Sequence, residues 1–187
     1  MNELVSVIII IILLLVIFLY YEKQYSELTY VESTIDKRKY LVRNRDDKLQ
    51  AANLFATVNE KITILINALK KDKLFKRLTK KYDPDSMSES LSTSSYTSYS
   101  VNKGDKLVFC IRSKDKGQKL IDLNTILFVA IHELAHIETK SIGHTEEFWD
   151  NMKKLLKVSI KLGIYQKVDY KNNPVKYCGI DITNSPL

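Results

Sequence analysis

Cysteine is nearly missing from this chain, which has only Cys110 and Cys178. Two cysteines cannot form a disulfide scaffold, and without a C-x-x-C pair there is no thiol redox motif. Two reduced thiols in a cytosol-facing domain are expected, with one disulfide as the alternative. Basic residues are missing from the N-terminus, where no Lys or Arg precedes residue 23. The apolar run that follows also lacks an A-x-A-like exit, and a cleaved signal peptide wants both features. Internal repeats are lacking too. Histidine is scarce: the chain has three, all between positions 132 and 144.

What the N-terminus has is "LVSVIIIIILLLVIFLYY", residues 4–21, apolar or aromatic except for Ser6. Eighteen residues at ~1.5 Å rise give about 27 Å of helix, close to the ~30 Å hydrocarbon core of a bilayer. The segment is therefore expected to be an uncleaved membrane anchor spanning residues 1–22. Lys23, Lys37, Arg38 and Lys39 follow it. The positive-inside rule then leaves a short N-terminus outside and puts the C-terminal bulk on the cytoplasmic side.

The net charge of +7 is concentrated in "KKDKLFKRLTKK", residues 70–81. Leu74, Phe75 and Leu78 lie at helical spacing within it, so it reads as a basic amphipathic segment. Anionic lipid headgroups are the partner most consistent with a nearby anchor, and nucleic acid is the other. A solvated helix face is the plain reading.

Residues 48–71 place Leu49, Ala52, Leu54 (or Phe55), Val58, Ile62, Leu65 and Leu69 mostly at three- and four-residue steps, as in an amphipathic helix. Pro84 ends this region, and the serine-rich stretch 84–92 is expected to be a linker. Two β-prone runs around "NKGD", 102–105, read as a hairpin within 95–113. A helix is then expected from Asp122 or Asn124 to about Lys140. A second opens at Thr145 and stops at Gly163, with Phe148, Met152, Leu155 and Leu162 on one stripe.

On the first of these helices His132 and His136 stand four residues apart and project from one face. Two imidazoles so placed can reach one ion at ~2.0–2.1 Å. Glu133 is turned by roughly 100° from His132, so it can miss the metal and face a bound water as general base. Residues 126–137 are otherwise apolar, as expected for a helix inside a domain. Buried histidines and a glutamate there cost free energy unless paired or metal-bound. Beyond Gly143, His144 returns as the leading third ligand, ahead of Glu138, Glu146 and Glu147. Three protein ligands and one open position are the pattern of catalytic zinc.

"HELAHI" followed by "GHTEEFW" resembles the WLM and SprT-like zincins, in which a third His follows the H-E-x-x-H helix and an aromatic, here Phe148, opens the next. The wider run over about 90–187 is similar to WLM-like membrane proteins of large eukaryotic DNA viruses. The resemblance implies Zn2+ on His132, His136 and His144, with Glu133 as the catalytic base and a polypeptide as substrate. It also implies that the 106–113 strand lies across the active helix, where a peptide adds to its edge. One departure is visible: the family usually leaves five residues between the second and third histidines, whereas "IETKSIG" makes seven.

The expected fold class is α+β: a transmembrane helix (1–22), a charged helical stalk with linker (23–85) and a small zincin-like domain (86–187). The expected activity is that of a membrane-anchored zinc endopeptidase. The alternatives are a non-catalytic zinc-containing membrane protein and a basic, membrane-tethered nucleic-acid-associated protein. Tyr165, Tyr170 and Tyr177 are candidates for oxyanion support, and the sequence does not choose among them.

Overall fold

The computed structural model describes residues 3–187, the side chains of 23–26 excepted. Residues 1 and 2, and the Lys23 side chain used in the orientation reading, lie outside the described set. Helix α1, Glu3–Glu27, carries the apolar run. Among the described residues, its segment Glu3–Glu22 is the one stretch long and apolar enough to cross a membrane, and it is not buried against the rest of the chain.

Strand β1 (Leu28–Glu32) follows α1 and pairs antiparallel with β2 (Lys39–Arg43). Helix α2 (Lys48–Lys71) and short helix α3 (Lys76–Lys81) cross over to β3 (Met87–Glu89), which runs parallel to both β2 and β5 (Lys106–Phe109). Strand β4 (Ser98–Val101) forms the expected hairpin with β5 and is one of the sheet's two outer strands, the order being β1-β2-β3-β5-β4. Helices α4 (Leu123–Glu138) and α5 (Glu146–Lys161) come next, and β6 (Val175–Tyr177) pairs with β7 (Ile180–Ile182) in a small hairpin.

The expectation of a separate stalk over 23–85 is corrected by this topology. Residues of that region supply two strands of the five-stranded sheet. Helix α2 buries Phe55, Val58, Ile62, Leu65, Ile66 and Leu69 in the same apolar cluster as Leu107 and Phe109 of β5 and Ile131 and Leu134 of α4. The Phe55 ring stacks on Tyr40 of β2 at 5.7 Å and meets Phe109 of β5 at 6.2 Å. The amphipathic stripe of 48–71 was readable, but the sequence does not say which surface it covers. That surface is the domain's own sheet.

Three further expectations change. The stretch 84–92 is no linker, because it contains β3, with Met87 and Glu89 buried. Glu89 accepts from the Arg43 N–H at 2.8 Å and from Arg112 Nε at 2.8 Å, and Arg112 also pairs with Asp47. A short polar strand satisfied by two arginines has no apolar run to announce it. The basic segment 70–81 is not one continuous helix: α2 ends at Lys71, and Phe75 takes a left-handed conformation (φ 51°) before α3. Leu78 is buried while Leu74 is left exposed. Lastly, Cys110 and Cys178 are joined in a disulfide rather than held as two free thiols. The bond ties the end of β5 to the β6–β7 hairpin across 68 residues of chain.

Candidate metal centre and catalytic site

Helix α4 begins as its sequence suggests, with the Asp122 carboxylate accepting from the Thr125 N–H at 2.9 Å. It ends at Glu138, where the Thr139 N–H and hydroxyl both donate to the Ala135 carbonyl. Helix α5 opens on Thr145, whose Oγ1 accepts from the Phe148 N–H at 3.4 Å. The two helices pack together, so the loop between them returns His144 to the face that carries His132 and His136.

The three Nε2 atoms converge. His136 and His132 are 3.2 Å apart, His136 and His144 3.2 Å, and His144 and His132 3.1 Å. Donors on one tetrahedral ion at ~2.0–2.1 Å would stand about 3.3 Å apart, so the triangle fits a single zinc-sized cation. Three imidazole nitrogens aimed at one point cannot satisfy one another, because a neutral ring has one donor and one acceptor nitrogen. Burial, and then the neighbouring histidines, push the His132 imidazole down to about 3. Burial first, then His144 and Lys103, push His136 down to about 4. Both rings are therefore neutral near pH 7, the form that binds metal.

Phe148 backs the cluster. Its ring stacks on His136 at 4.3 Å and lies 4.8 Å from His132 and 4.7 Å from His144. An aromatic plate behind the imidazoles fixes their planes without competing for their nitrogens. The carboxylates weighed as third ligands are engaged elsewhere in two cases. Glu138 accepts from the Leu78 N–H at 2.7 Å, and Glu147 accepts from the N–H groups of Lys140 and Ser141.

Glu133 is buried on the same helix, and burial pushes its carboxyl up to about 8. It shares with the histidines a cavity of about 640 Å³. Edge strand β4 lines one side of this cavity, Phe128, Val129, Trp149 and Met152 form an apolar wall, and Tyr177, Ile180 and Ile182 border it from the hairpin. The sequence-based expectation placed the peptide-binding edge on the 106–113 strand. That strand is interior, flanked by β3 and β4, and the open edge beside the histidines is β4.

Of the three candidate tyrosines, the structure brings one to the cavity. Tyr165 and Tyr170 donate and accept within the core, their hydroxyls 3.3 Å apart and their rings against Phe128. The Tyr177 hydroxyl is 2.5 Å from Ser98 Oγ on β4. Burial raises its pKa, with Ser98 opposing and the Glu133 carboxyl adding to the rise. Ser98 and Lys103, another residue at this cavity, carry no signal in their local sequence. They reach the site through a strand edge and a turn, and only the assembled sheet places them there.

A buried helix carrying H-E-x-x-H, a third histidine on a returning loop and an edge strand alongside stand together in a mixed α+β fold. The chain matches the WLM domain over residues 35–178 and belongs to that family. It is 33% identical over 174 residues to uncharacterized protein R325 of Acanthamoeba polyphaga mimivirus, covering 89% of this chain and 88% of that one. Uncharacterized protein 136R of Invertebrate iridescent virus 6 is 35% identical over 71 residues, 37% of this chain and 39% of its own. Among solved structures, Wss1 from Saccharomyces cerevisiae superposes with a TM-score of 0.52 at 20% identity, over 65% of this chain and 87% of that one. The matched stretch begins at residue 35 and so takes in β2 and α2.

Proposed function

We propose that this chain is a membrane-anchored, zinc-dependent endopeptidase. The observation that carries the reading is the triangle of Nε2 atoms, 3.1–3.2 Å on a side, in one cavity with a buried glutamate. His132, His136 and His144 would hold the ion. When bound, zinc supplies a Lewis acid for the scissile carbonyl and a water acidic enough to act near neutral pH. Every other task falls to the protein.

Glu133 takes the proton of the attacking water and returns it to the leaving amine. A buried carboxyl is poorly hydrated and holds a proton readily, which suits its return to the leaving amine. The Tyr177 hydroxyl is the donor for the developing oxyanion, oriented by Ser98. An extended peptide adds to the free edge of β4, whose outward N–H and C=O groups accept another strand. Its side chains meet the apolar wall of Phe128, Val129, Trp149 and Met152, so bulky apolar residues next to the scissile bond are favoured.

The exposed helix Glu3–Glu22 is the anchor in this reading. The Cys110–Cys178 disulfide argues against a reducing cytosol as the place where the catalytic domain folds. A chelator tests the metal dependence. Stripping the purified chain should stop cleavage of an unfolded protein substrate, and stoichiometric zinc should restore it. Unchanged cleavage after complete metal removal would refute the zinc mechanism.

A further inference from the structure

The seven-residue gap between His136 and His144 gives the third histidine a longer lead than the first two, which sit on one helix. Fixing each loop residue costs backbone entropy, so a ligand on a longer loop needs something to hold the loop. The structure contains such a device. The Lys103 ammonium donates to the carbonyls of Thr139 at 2.6 Å, Lys140 at 2.8 Å and Ser141 at 2.9 Å. These are the first three residues after α4. From the other direction, the Glu147 carboxylate accepts from the N–H groups of Lys140 and Ser141 at 3.2 and 3.3 Å and from the Ser141 hydroxyl at 3.0 Å. The backbone leaving α4 is thus gripped by a cation on its carbonyls and an anion on its amides. The chain then turns at Gly143 (φ 83°) and delivers His144.

Two features separate this from an ordinary surface contact. An ammonium has three N–H donors, and all three are used, so Lys103 has none left for a substrate although it borders the cavity. Its backbone also sits at φ 55°, between Asn102 at φ 47° and Gly104 at φ 119°. Lysine is disfavoured in that left-handed region, where glycine sits freely. The turn itself is pressed onto the last turn of α4, since a Cβ at Gly104 would come within 3.3 Å of Ile137 Cδ1. That close approach keeps the ammonium within reach of the loop.

We infer that Lys103 is a positioning residue for the metal centre. Its ammonium holds residues 139–141 so that His144 Nε2 stays within reach of the ion. The inference rests on the zinc reading above, and the experiment keeps the two apart. The full chain in detergent is compared with K103G, K103M, K103R and H144A. Zinc affinity is measured by competition with a chromogenic chelator, and thermal unfolding is measured on the zinc-free proteins. K103G and K103M should bind zinc about 10–100-fold more weakly, as expected when a group supporting a ligand is lost. Zinc-free K103G should melt no lower than wild type, because glycine relieves the strained turn. K103R keeps the charge and should recover part of the affinity. K103G with wild-type zinc affinity would overturn the inference, and so would a fall in its zinc-free melting temperature that accounts for the loss. H144A sets the scale. If it binds zinc as tightly as wild type, the zinc reading of His144 fails, and the role of Lys103 fails with it.

Discussion

Replacing Glu133 with Gln is expected to leave zinc bound and to reduce peptide cleavage by about 10²–10⁴-fold, the usual contribution of a general acid–base group. Gln has the shape of Glu, and the three ligand nitrogens belong to other residues. The substitution therefore leaves the metal triangle and α4 packing in place. What it removes is a group able to take and return a proton. Burial already raises the Glu133 carboxyl to about 8, so a neutral amide there costs the fold nothing new in desolvation. The measurement is turnover of a fluorogenic peptide library, alongside metal analysis of the same samples. Equal turnover by the two proteins would remove Glu133 from the mechanism. A wild type that binds zinc and cleaves nothing would favour a non-catalytic zinc protein.

The second large effect concerns the domain boundary. A fragment starting at residue 86, where the sequence suggested the catalytic domain begins, is expected not to fold. It lacks Phe55, Val58, Ile62, Leu65, Ile66 and Leu69, all buried in the shared core. At about 1.5–3 kcal/mol per fully buried side chain, their gross contribution is roughly 9–18 kcal/mol. Net stabilities of whole domains are only about 5–15 kcal/mol. The cut also leaves Glu89 and Arg112 without Arg43 and Asp47, their partners from the removed segment. A fragment covering 27–187 keeps these contacts and should show a cooperative thermal transition, whereas 86–187 should show none. Circular dichroism distinguishes the two, and a cooperative transition in the shorter fragment would restore the independent-domain reading.

The contrast between these two predictions shows what the sequence made legible. The catalytic helix could be read because its information is local. The i, i+4 histidines, the flanking apolar residues, the Asp122 cap and the Gly143 turn all lie within about one helix and one loop. The 98–109 hairpin and α5 were legible for the same reason. The family resemblance rested on these same residues, and the domain match bears it out. The sheet was less legible because its strands are short and polar. Strand β3 has three residues and pairs with both β2 and β5, neither adjacent to it in sequence. Strand β2 hides among lysines and arginines, with only Tyr40 and Val42 of its apolar residues fully inside. A charged segment whose alternate residues are buried looks like a solvated stalk until its partner strand is known. The disulfide runs against the expectation of two free thiols for a related reason, since its cysteines are 68 residues apart and only the fold brings them together. Tyr177 and Lys103 belong with these, because a hairpin and a turn place them at the site.

The central claim is that three histidines, two from one helix and one beyond an extended loop, form a single metal centre. Counting zinc per chain after equilibration with limiting zinc and gel filtration tests it most directly, on wild type and His144→Ala side by side. The account predicts close to one zinc per wild-type chain and a large loss in His144→Ala, with no change in the zinc-free fold. Full zinc retention by His144→Ala, or a wild type that holds none, would contradict it.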